Sequence, residues 1–426
     1  MLDPSLIFRL RTLHRRPAIL CALLSLLFIC PQIRARSADP DLRNALAERA
    51  AFGPDQIAAL ERGEPVAKLI PSNDPREVAV CGVIQIPSDP QTALKAFQLS
   101  LSLKLNSILQ SGKFTDQPRV EDLASLTLSD ADIADLKTCT IGDCKLKLSA
   151  AMIHRFQNSI DWKAIDYKEQ ANQLYRLMIV EYVTTYLQRG DAALIEYADR
   201  SPRVALAREQ EALLTKLLYV DDTAPEFVRH LKAFPRATVP VEHSLSWAKI
   251  NFGLKPVLVI TDISTYRSDV DGVPRVLVLS KQIYANHYFD ASLSLTAAIA
   301  DQTRTKSDLL YVNYSRSGVL ASSFSKFKHK IVEGRVTADL KNLLGQTRLN
   351  IDVVLNNSSP SFEPTLRQRI SESPALRIIF WLVLLKVIGT AFYFTFRRKM
   401  PRSWRPALSR HSDKQTEPPR AFRQEA

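Results

Sequence analysis

Residues 257–300 decide the fold, and they read VLVITDISTYRSDVDGVPRVLVLSKQIYANHYFDASLSLTAAIA. Hydrophobic residues recur at every second position, which predicts β-strands at 257–263, 276–283 and 292–299. The same alternation continues at 309–315. The breaks between these segments are short and polar, as at 269–272, so we expect the strands to form an antiparallel meander.

A long helix is predicted directly after the meander, at 323–349. Its apolar residues recur at helical spacing and would form one stripe: Phe327, Ile331, Val332, Val336, Leu340, Leu343 and Leu344. Gly334 interrupts this helix, which costs about 1 kcal/mol relative to alanine. We therefore expect Gly334 to allow the helix to approach the sheet closely.

The chain before the meander predicts one strand and a helical insertion. Residues 76–86 alternate, but both faces are apolar, so this strand should be covered on both sides. Ser88-Asp89-Pro90 is typical of a helix start, and Ser129 is placed to cap a helix at 130–136. Residues 149–231 are almost entirely helical in pattern, which predicts a helical insertion at 149–236.

This order of elements resembles the START-like, or SRPBCC, helix-grip family. The residues that carry the resemblance are EVAVCGVIQI at 77–86 entering Ser88-Asp89-Pro90, and the strand series from Trp247 to Tyr314 entering the helix at 323–349. The resemblance implies an α+β fold, in which a curved antiparallel sheet grips a long C-terminal helix and encloses an apolar cavity. It places this domain at 76–352, interrupted by the helical insertion at 149–236, which a minimal member of the family lacks.

Charge is concentrated at the two ends of the chain. The net charge is +13, yet residues 38–374 carry 40 basic and 40 acidic residues. Residues 1–37 carry six Arg and one Asp, and residues 397–426 carry nine basic and three acidic residues. Basic ends on a neutral body are typical of membrane targeting, so a nucleic-acid partner is not expected.

The two ends predict a membrane topology. Residues 1–37 have the basic and apolar regions of a signal peptide, with an uncleaved signal anchor as the alternative. Residues 375–396 would form a transmembrane helix of about 33 Å. Linkers are predicted at 38–75, with a short helix at 54–61, and at 353–374. The basic tail 397–426 should be cytoplasmic, which makes this a single-pass inner-membrane protein with a periplasmic body.

Four residues of the predicted span define its contacts: Arg377, Trp381, Lys386 and Tyr393. Trp381 and Tyr393 would lie toward the two interfaces. Lys386 falls near the middle, where a charge costs about 2.5–3.5 kcal/mol. Either its ammonium group snorkels along its own stem to the interface, or a partner helix in a membrane protein supplies an acid or a carbonyl.

No motif identifies a chemical activity. The sequence contains no Gly-x-Ser-x-Gly, no phosphate-binding loop and no paired-glycine dinucleotide loop, and its seven His residues include no His-x-x-x-His pair. We therefore predict no catalytic residue, metal or cofactor. Cys139 and Cys144 flank a plausible turn and could form a disulfide in an oxidising compartment, while Cys81 should be a buried thiol.

The densest polar and aromatic group follows the strand at 276–283: Lys281, Tyr284, Asn286, His287, Tyr288 and Asp290. Together with Trp247, these residues could contact a ligand, and His287 with Asp290 could transfer a proton. The alternative is a hairpin connection whose aromatic residues pack on the sheet edge. The expected function is a membrane-anchored, extracytoplasmic binding module for a lipid-like or other apolar small molecule. Its alternative is a structural or interaction protein of the cell envelope, with a side-chain-filled cavity and a membrane or envelope protein as partner.

Overall fold

A computed structural model of the chain describes residues 40–103, 108–217, 219–251, 255–270, 272–321 and 325–357. The predicted signal segment 1–37, the predicted span 375–396 and the tail 397–426 lie outside these residues, and so do Arg377, Trp381, Lys386 and Tyr393. Within the described part of the chain, no helix has both the length and the apolar character needed to cross a membrane.

The described strands are β1 (Val66–Ile70), β2 (Glu77–Ile86), β3 (Ile108–Lys113), β4 (Glu196–Tyr197), β5 (Val204–Ala205), β6 (Val241–Ile250), β7 (Val257–Val270), β8 (Val273–Ala285), β9 (Ala291–Ala300) and β10 (Ser307–Arg316). Among the described residues, eight of them form one antiparallel sheet in the order β1-β2-β10-β9-β8-β7-β6-β3. Strands β7 to β10 pair consecutively, which confirms the predicted meander. Strands β4 and β5 form a separate pair.

The described helices are α1 (Pro40–Glu48), α2 (Pro54–Glu61), α3 (Pro90–Leu103), α4 (Asp130–Leu136), α5 (Ala150–Ser159), α6 (Tyr167–Arg189), α7 (Leu206–Leu214), α8 (Val220–Thr223), α9 (Pro225–Ala233), α10 (Ser325–Leu349) and α11 (Ile351–Asn357). Two predicted helix starts are confirmed. Asp89 Oδ1 accepts from the backbone N–H groups of Gln91 and Thr92, and Ser129 Oγ accepts from that of Asp132. The α+β class is also confirmed.

Both faces of the sheet are covered. On β2, Val78, Val80, Ile84 and Ile86 pack in one apolar cluster with residues of α3 and α10, and we call this side the terminal-helix face. Ala79, Cys81 and Val83 point the other way and join the cluster that includes helices α4 to α9, the insertion face. Every residue of β2 is buried, as the apolar character of both its faces predicted.

The close contact between sheet and terminal helix depends on a glycine in the strand. A Cβ built at Gly82 of β2 would lie 2.7 Å from Leu340 Cδ2 and 2.9 Å from Leu344 Cδ1, both on α10. A Cβ at Gly334 would meet nothing within 4 Å. The expectation for Gly334 was therefore wrong, because this glycine is exposed on its helix and Gly82 makes the close approach.

The segment predicted as a linker, 38–75, carries secondary structure wherever it is described. Helix α2 has the predicted bounds, 54–61, but α1 precedes it and β1 follows it. Strand β1 pairs with β2, with Leu69 opposite Val80. Leu42, Leu46 and Leu60 are buried in the core. The Pro and Asn residues at 71–75 therefore mark a loop between paired strands. Helix α11 likewise reaches into the linker predicted at 353–374.

The edge strand β3 was not predicted. It pairs with β6 through an irregularity between Ile108 and Gln110. Its sequence, ILQSGK, does not alternate apolar with polar residues, so it carries no strand pattern, although its burial alternates in the fold. Helices α4 to α9 lie between β3 and β6 in the chain. The helical insertion thus begins before the predicted boundary at 149.

Candidate functional site

The predicted ligand-binding residues lie where the insertion meets the sheet. Trp247 of β6 is buried, and its Nε1 donates to the carbonyl oxygen of Asp122 at 2.9 Å. Its ring packs on the neighbouring strand at Gly112, where a Cβ would lie 2.7 Å from Nε1. Trp247 therefore fixes β3 and the segment after it to the sheet.

Asp290 is the centre of a buried ion cluster. Its side chain is 0% exposed. It accepts from Lys147 Nζ at 2.9 Å, and Arg200 Nη2 lies 2.8 Å from both of its oxygens. Asp199 lies 3.8 Å from Lys147, and burial raises the pKa of the Asp199 carboxyl despite this neighbour. Lys147 precedes helix α5 and Arg200 follows helix α6, so the cluster ties the insertion to the start of β9.

His287 pairs with Asp132 of α4 and not with Asp290. Its Nε2 lies 3.0 Å from Asp132 Oδ1, and its Nδ1 lies 3.0 Å from the carbonyl oxygen of Lys145. Each ring nitrogen of His287 therefore faces an oxygen that can accept a hydrogen bond. Burial disfavours the charged form of Asp132, but the hydrogen bond and charge of His287 outweigh it and lower the pKa of this carboxyl.

The other predicted residues also have partners within the chain. Tyr284 OH lies 3.1 Å from Tyr175 OH and 3.1 Å from the Lys147 carbonyl oxygen. Lys281 Nζ lies 2.6 Å from Asp191 Oδ1. Asn286 Oδ1 accepts from the backbone N–H of Leu258, and Tyr288 OH accepts from that of Lys255. These contacts favour the alternative in which the group packs the sheet, here against the helical insertion.

The two predicted cysteines lie beside this junction. Cys139 and Cys144 form a disulfide. Within its loop, the backbone N–H of Gly142 donates to Ala198 O at 2.8 Å, and that of Cys144 donates to Asp199 O at 2.9 Å. The disulfide therefore braces the backbone next to the Asp290 cluster. Cys81 is a buried free thiol on β2, and burial raises its pKa.

A different set of polar residues crosses the terminal-helix face. Ser246 of β6 is opposite Thr261 of β7, which is opposite Gln282 of β8. We call these three residues the polar row. Cross-strand partners point to the same side of a sheet. The register therefore places the row on the side of Val80, through the pairs Val80↔Asn313, Asn313↔Ser294, Ser294↔Ser280 and Ser280↔Ile263.

The polar row is buried and lacks hydrogen-bond partners. Ser246 and Thr261 are 0% exposed and Gln282 is 1% exposed. Four of their atoms have no partner among the described residues: Ser246 Oγ, Thr261 Oγ1, Gln282 Nε2 and Gln282 Oε1. Each such group costs about 1–3 kcal/mol, and most buried polar groups in native proteins are paired. The described fold therefore leaves the hydrogen-bonding groups of the row unsatisfied.

A β-bulge explains how the row arises. Ile260 is opposite Tyr284 and Thr261 is opposite Gln282, so Ile283 is an extra residue in β8. In a regular strand, Tyr284 and Gln282 would share a face because they are two residues apart. The bulge instead places Tyr284 on the insertion face and Gln282 on the terminal-helix face. Gln210 of α7 supports the distorted strand, since its Nε2 donates to the carbonyl oxygens of Gln282 and Ser292.

Next to the row, strands β9 and β10 carry a polar network that is satisfied. Ser292 Oγ lies 2.6 Å from Ser315 Oγ, and Ser315 Oγ donates to Asn313 Oδ1 at 2.9 Å. The sequence signal for this face was the alternation of small polar residues with apolar ones in ASLSLT at 291–296. No residue of the polar row is ionisable, so the row is neutral.

The chain also has an open cleft of about 760 Å³ at the start of β2, beside Glu77. It is lined by Arg49, Ile70, Pro71, Ser72, Asn73, Asp74, Glu77, Thr215, Lys216 and Tyr314, and so by none of the predicted ligand-binding residues. Its buried acid, Glu77, is fully paired. It accepts from Lys216 Nζ at 2.7 Å, Arg316 Nε at 2.9 Å and Ser72 Oγ at 2.8 Å. The cleft is therefore a weaker candidate than the polar row.

Among the described residues, no group of three or more His, Cys, Asp or Glu side chains is arranged to hold a metal ion. The chain matches no known protein family, no curated protein and no solved structure.

Proposed function

We propose that this chain is a binding module that holds an apolar small molecule with an uncharged polar group against the terminal-helix face. The observation that carries the proposal is the polar row, with four buried hydrogen-bonding atoms that have no partner in the part of the chain that the structure describes. A hydroxyl, carbonyl or amide of a ligand would supply the missing bonds. A charged group would lose its hydration there without finding an opposite charge in the row, so it would bind poorly.

Along its own strands the row has apolar neighbours, which favour an apolar ligand body, although Ser280 of β8 and Ser294 of β9 share the face. Val259 and Ile263 flank Thr261 along β7, and Val278 lies farther along β8 on the same face; all three are buried. Ligand sites in proteins are commonly apolar with a few polar groups that fix the orientation. The row and its neighbours have this composition.

The sequence supports the same function in two further ways. The START-like resemblance implies a ligand between the sheet and the terminal helix; α10 packs on the same face of the sheet as the row, but over β1 and β2. The predicted signal segment and the predicted span at 375–396 would hold the module at the periplasmic side of the inner membrane. An apolar ligand would there be available from the lipid phase.

Native mass spectrometry of the full chain, released from detergent, tests the proposal. We expect a stoichiometric, uncharged molecule that solvent extraction recovers. The variants Thr261→Val and Gln282→Leu should lose it, because they remove the polar atoms and keep the approximate shape. The control Thr185→Val makes the same change on an accessible part of α6, where Thr185 Oγ1 bonds Glu181 O, and should retain the ligand.

Two results would count against the proposal. Equal occupancy in Thr261→Val, Gln282→Leu and the parent chain would show that the ligand binds elsewhere. A chain that carries nothing from several expression hosts would favour the alternative, a structural or interaction protein of the envelope. The extensive pairing on the insertion face would suit that role, and partners of the insertion and of Lys386 would then be sought.

A further inference from the structure

Two histidines from separate elements meet on the insertion face. His230 of α9 and His243 of β6 approach with their Nε2 atoms 2.8 Å apart. The other nitrogen of His230, Nδ1, lies 3.3 Å from the backbone nitrogen of Thr238. The other nitrogen of His243 lies 3.4 Å from Asp262 Oδ1 and 3.1 Å from Ser264 Oγ. The four groups form a chain from Thr238 through both rings to Asp262.

The partners fix the position of every proton in this chain. A backbone N–H can only donate, so His230 Nδ1 accepts from Thr238 and carries no proton. Neutral His230 therefore has its proton on Nε2 and donates it to His243 Nε2. His243 must then carry its own proton on Nδ1, where Asp262 and Ser264 can accept it. One neutral arrangement satisfies all of these contacts.

An additional proton cannot enter the pair without breaking the bond to Thr238. If His230 is protonated, its new Nδ1–H points at the Thr238 N–H. If His243 is protonated instead, its Nε2–H must donate to His230 Nε2, which forces the proton of His230 onto Nδ1. In both cases the N–H of Thr238 loses its acceptor.

The surrounding charges limit where the proton can be stabilised. On β7, Asp262 is buried, and the hydrogen bond of His243 and the charge of Lys281 overcome the effect of burial and lower its pKa. Tyr186 of α6 already donates to Asp262 Oδ2 at 2.6 Å, and Lys281 of β8 is paired with Asp191. The acids of the two histidine-bearing elements are also paired: Glu226 of α9 with Tyr266, and Glu242 of β6 with Arg267. The cations Arg229 and Lys232 of α9 and Arg236 of the following segment would disfavour a further positive charge. Burial and the neighbouring His243 lower the pKa of His230.

We propose that His230 and His243 form an acid-sensitive latch for residues 234–240, the segment that joins α9 to β6. At neutral pH the latch holds Thr238. On acidification it releases Thr238 and loosens the attachment of α9 to the sheet. Phe234, in the same segment, packs on the His243 ring with centroids 4.7 Å apart, so the ring that changes charge also contacts the segment directly. This latch does not depend on the proposed ligand.

Hydrogen exchange of the full chain at pH 7.5 and pH 5.0 tests the latch, once the intrinsic effect of pH on exchange has been removed. We expect the protection of the Thr238 amide to fall about tenfold or more at pH 5.0, as for the loss of one ordinary hydrogen bond. In His230→Asn, the Asn Oδ1 can replace Nδ1 as acceptor but cannot titrate. Its Thr238 protection should therefore not change with pH. The control His154→Asn, at an exposed position of α5, should behave like the parent chain.

Unchanged protection of Thr238 in the parent chain would overturn the latch, and so would a fall that persists in His230→Asn. If His230→Asn does not fold, the parent chain still provides a test. Nitrogen-15 spectra of the histidine rings at pH 7.5 should show His230 protonated at Nε2 and His243 at Nδ1. A proton on His230 Nδ1 at that pH would exclude the mechanism.

Discussion

The two faces of the central sheet treat buried polar groups differently. On the insertion face, the polar groups include charged side chains, and each of the predicted residues has a partner, as Asp290 has in Lys147 and Arg200. Among the described residues, the atoms that lack one on the insertion side include Asp199 Oδ1 and Gln210 Oε1. On the terminal-helix face, the polar row is neutral, and four of its side-chain atoms have no partner among the residues that the structure describes. A buried charge without a partner is far more costly than a neutral group without one. The charged cluster therefore stabilises the fold. The fold can tolerate an unpaired neutral row, which leaves the row free to bind a ligand.

The largest effect should come from breaking the insertion face at Asp290. Asp290→Ala leaves Lys147 and Arg200 near the sheet without their shared carboxylate, and Lys147 is buried. We expect the free energy of unfolding to fall by about 3–5 kcal/mol, measured by denaturant titration. Asp130→Ala is the control. It removes an acid whose pair with Lys168 is exposed, and it should cost at most about 1 kcal/mol.

A cost for Asp290→Ala as small as that for Asp130→Ala would contradict the contrast between the faces. It would mean that the buried cluster contributes little to attaching the insertion. The charged residues just before the start of β9 would then again be candidates for ligand contact.

The next largest change in the free energy of unfolding is expected from the apolar part of the terminal-helix face. Gly82→Ala would place a methyl group against Leu340 and Leu344, and we expect overpacking to cost about 1–3 kcal/mol. Gly345→Ala makes the same change within α10, where the new Cβ would meet only Pro65 Cγ at 3.9 Å. It should stabilise the helix by about 0.5–1 kcal/mol. Equal effects of the two substitutions on thermal unfolding would show that α10 does not pack closely on β2.

Acid should affect the two faces unequally. The pKa values of Asp132 and Asp262 are lowered, since their histidine partners outweigh the effect of burial. Carboxyls with a lowered pKa stabilise the fold above their unfolded value of about 3.9, and this contribution is lost as the pH falls through the folded value. Stability measured from pH 5 to pH 2 should therefore fall, and less steeply in Asp132→Asn. Thr261→Val should keep the slope of the parent chain, because the polar row does not titrate. If stability falls as steeply with acid in Asp132→Asn as in the parent chain, the Asp132 carboxyl does not contribute to the acid sensitivity.

The regular elements could be predicted from the sequence because their patterns are local. The meander, the terminal helix and the start of α3 depend on alternation, helical spacing and capping residues within each segment. The site could not be predicted in the same way. A single extra residue, Ile283, separates Tyr284 from Gln282 onto opposite faces, and alternation alone places them together.

Contacts between residues far apart in the chain could not be predicted from local patterns either. His230 and His243 meet across a connection that contains Pro235 and Pro240, and neither histidine lies in a recognisable motif. The dense polar sequence at 281–290 predicted a ligand site on what proved to be the insertion face. The partners that satisfy it, such as Asp132 and Lys147, are more than a hundred residues away.

The smallest expected change in the free energy of unfolding is a gain in stability, at Thr261 of the polar row. It is the sharpest test of the difference between the two faces of the sheet. Thr261→Val replaces a buried hydroxyl that has no partner with a methyl group of similar shape. We expect the ligand-free chain to become more stable by about 1 kcal/mol, because the cost of the unsatisfied hydroxyl is removed. Thr185→Val should leave stability within about 0.5 kcal/mol. Gain of stability together with loss of the bound molecule would mark the row as functional, since sites kept for binding are commonly suboptimal for folding. If Thr261→Val instead destabilised the chain, its hydroxyl would have a partner, and the two faces would not differ in the way proposed.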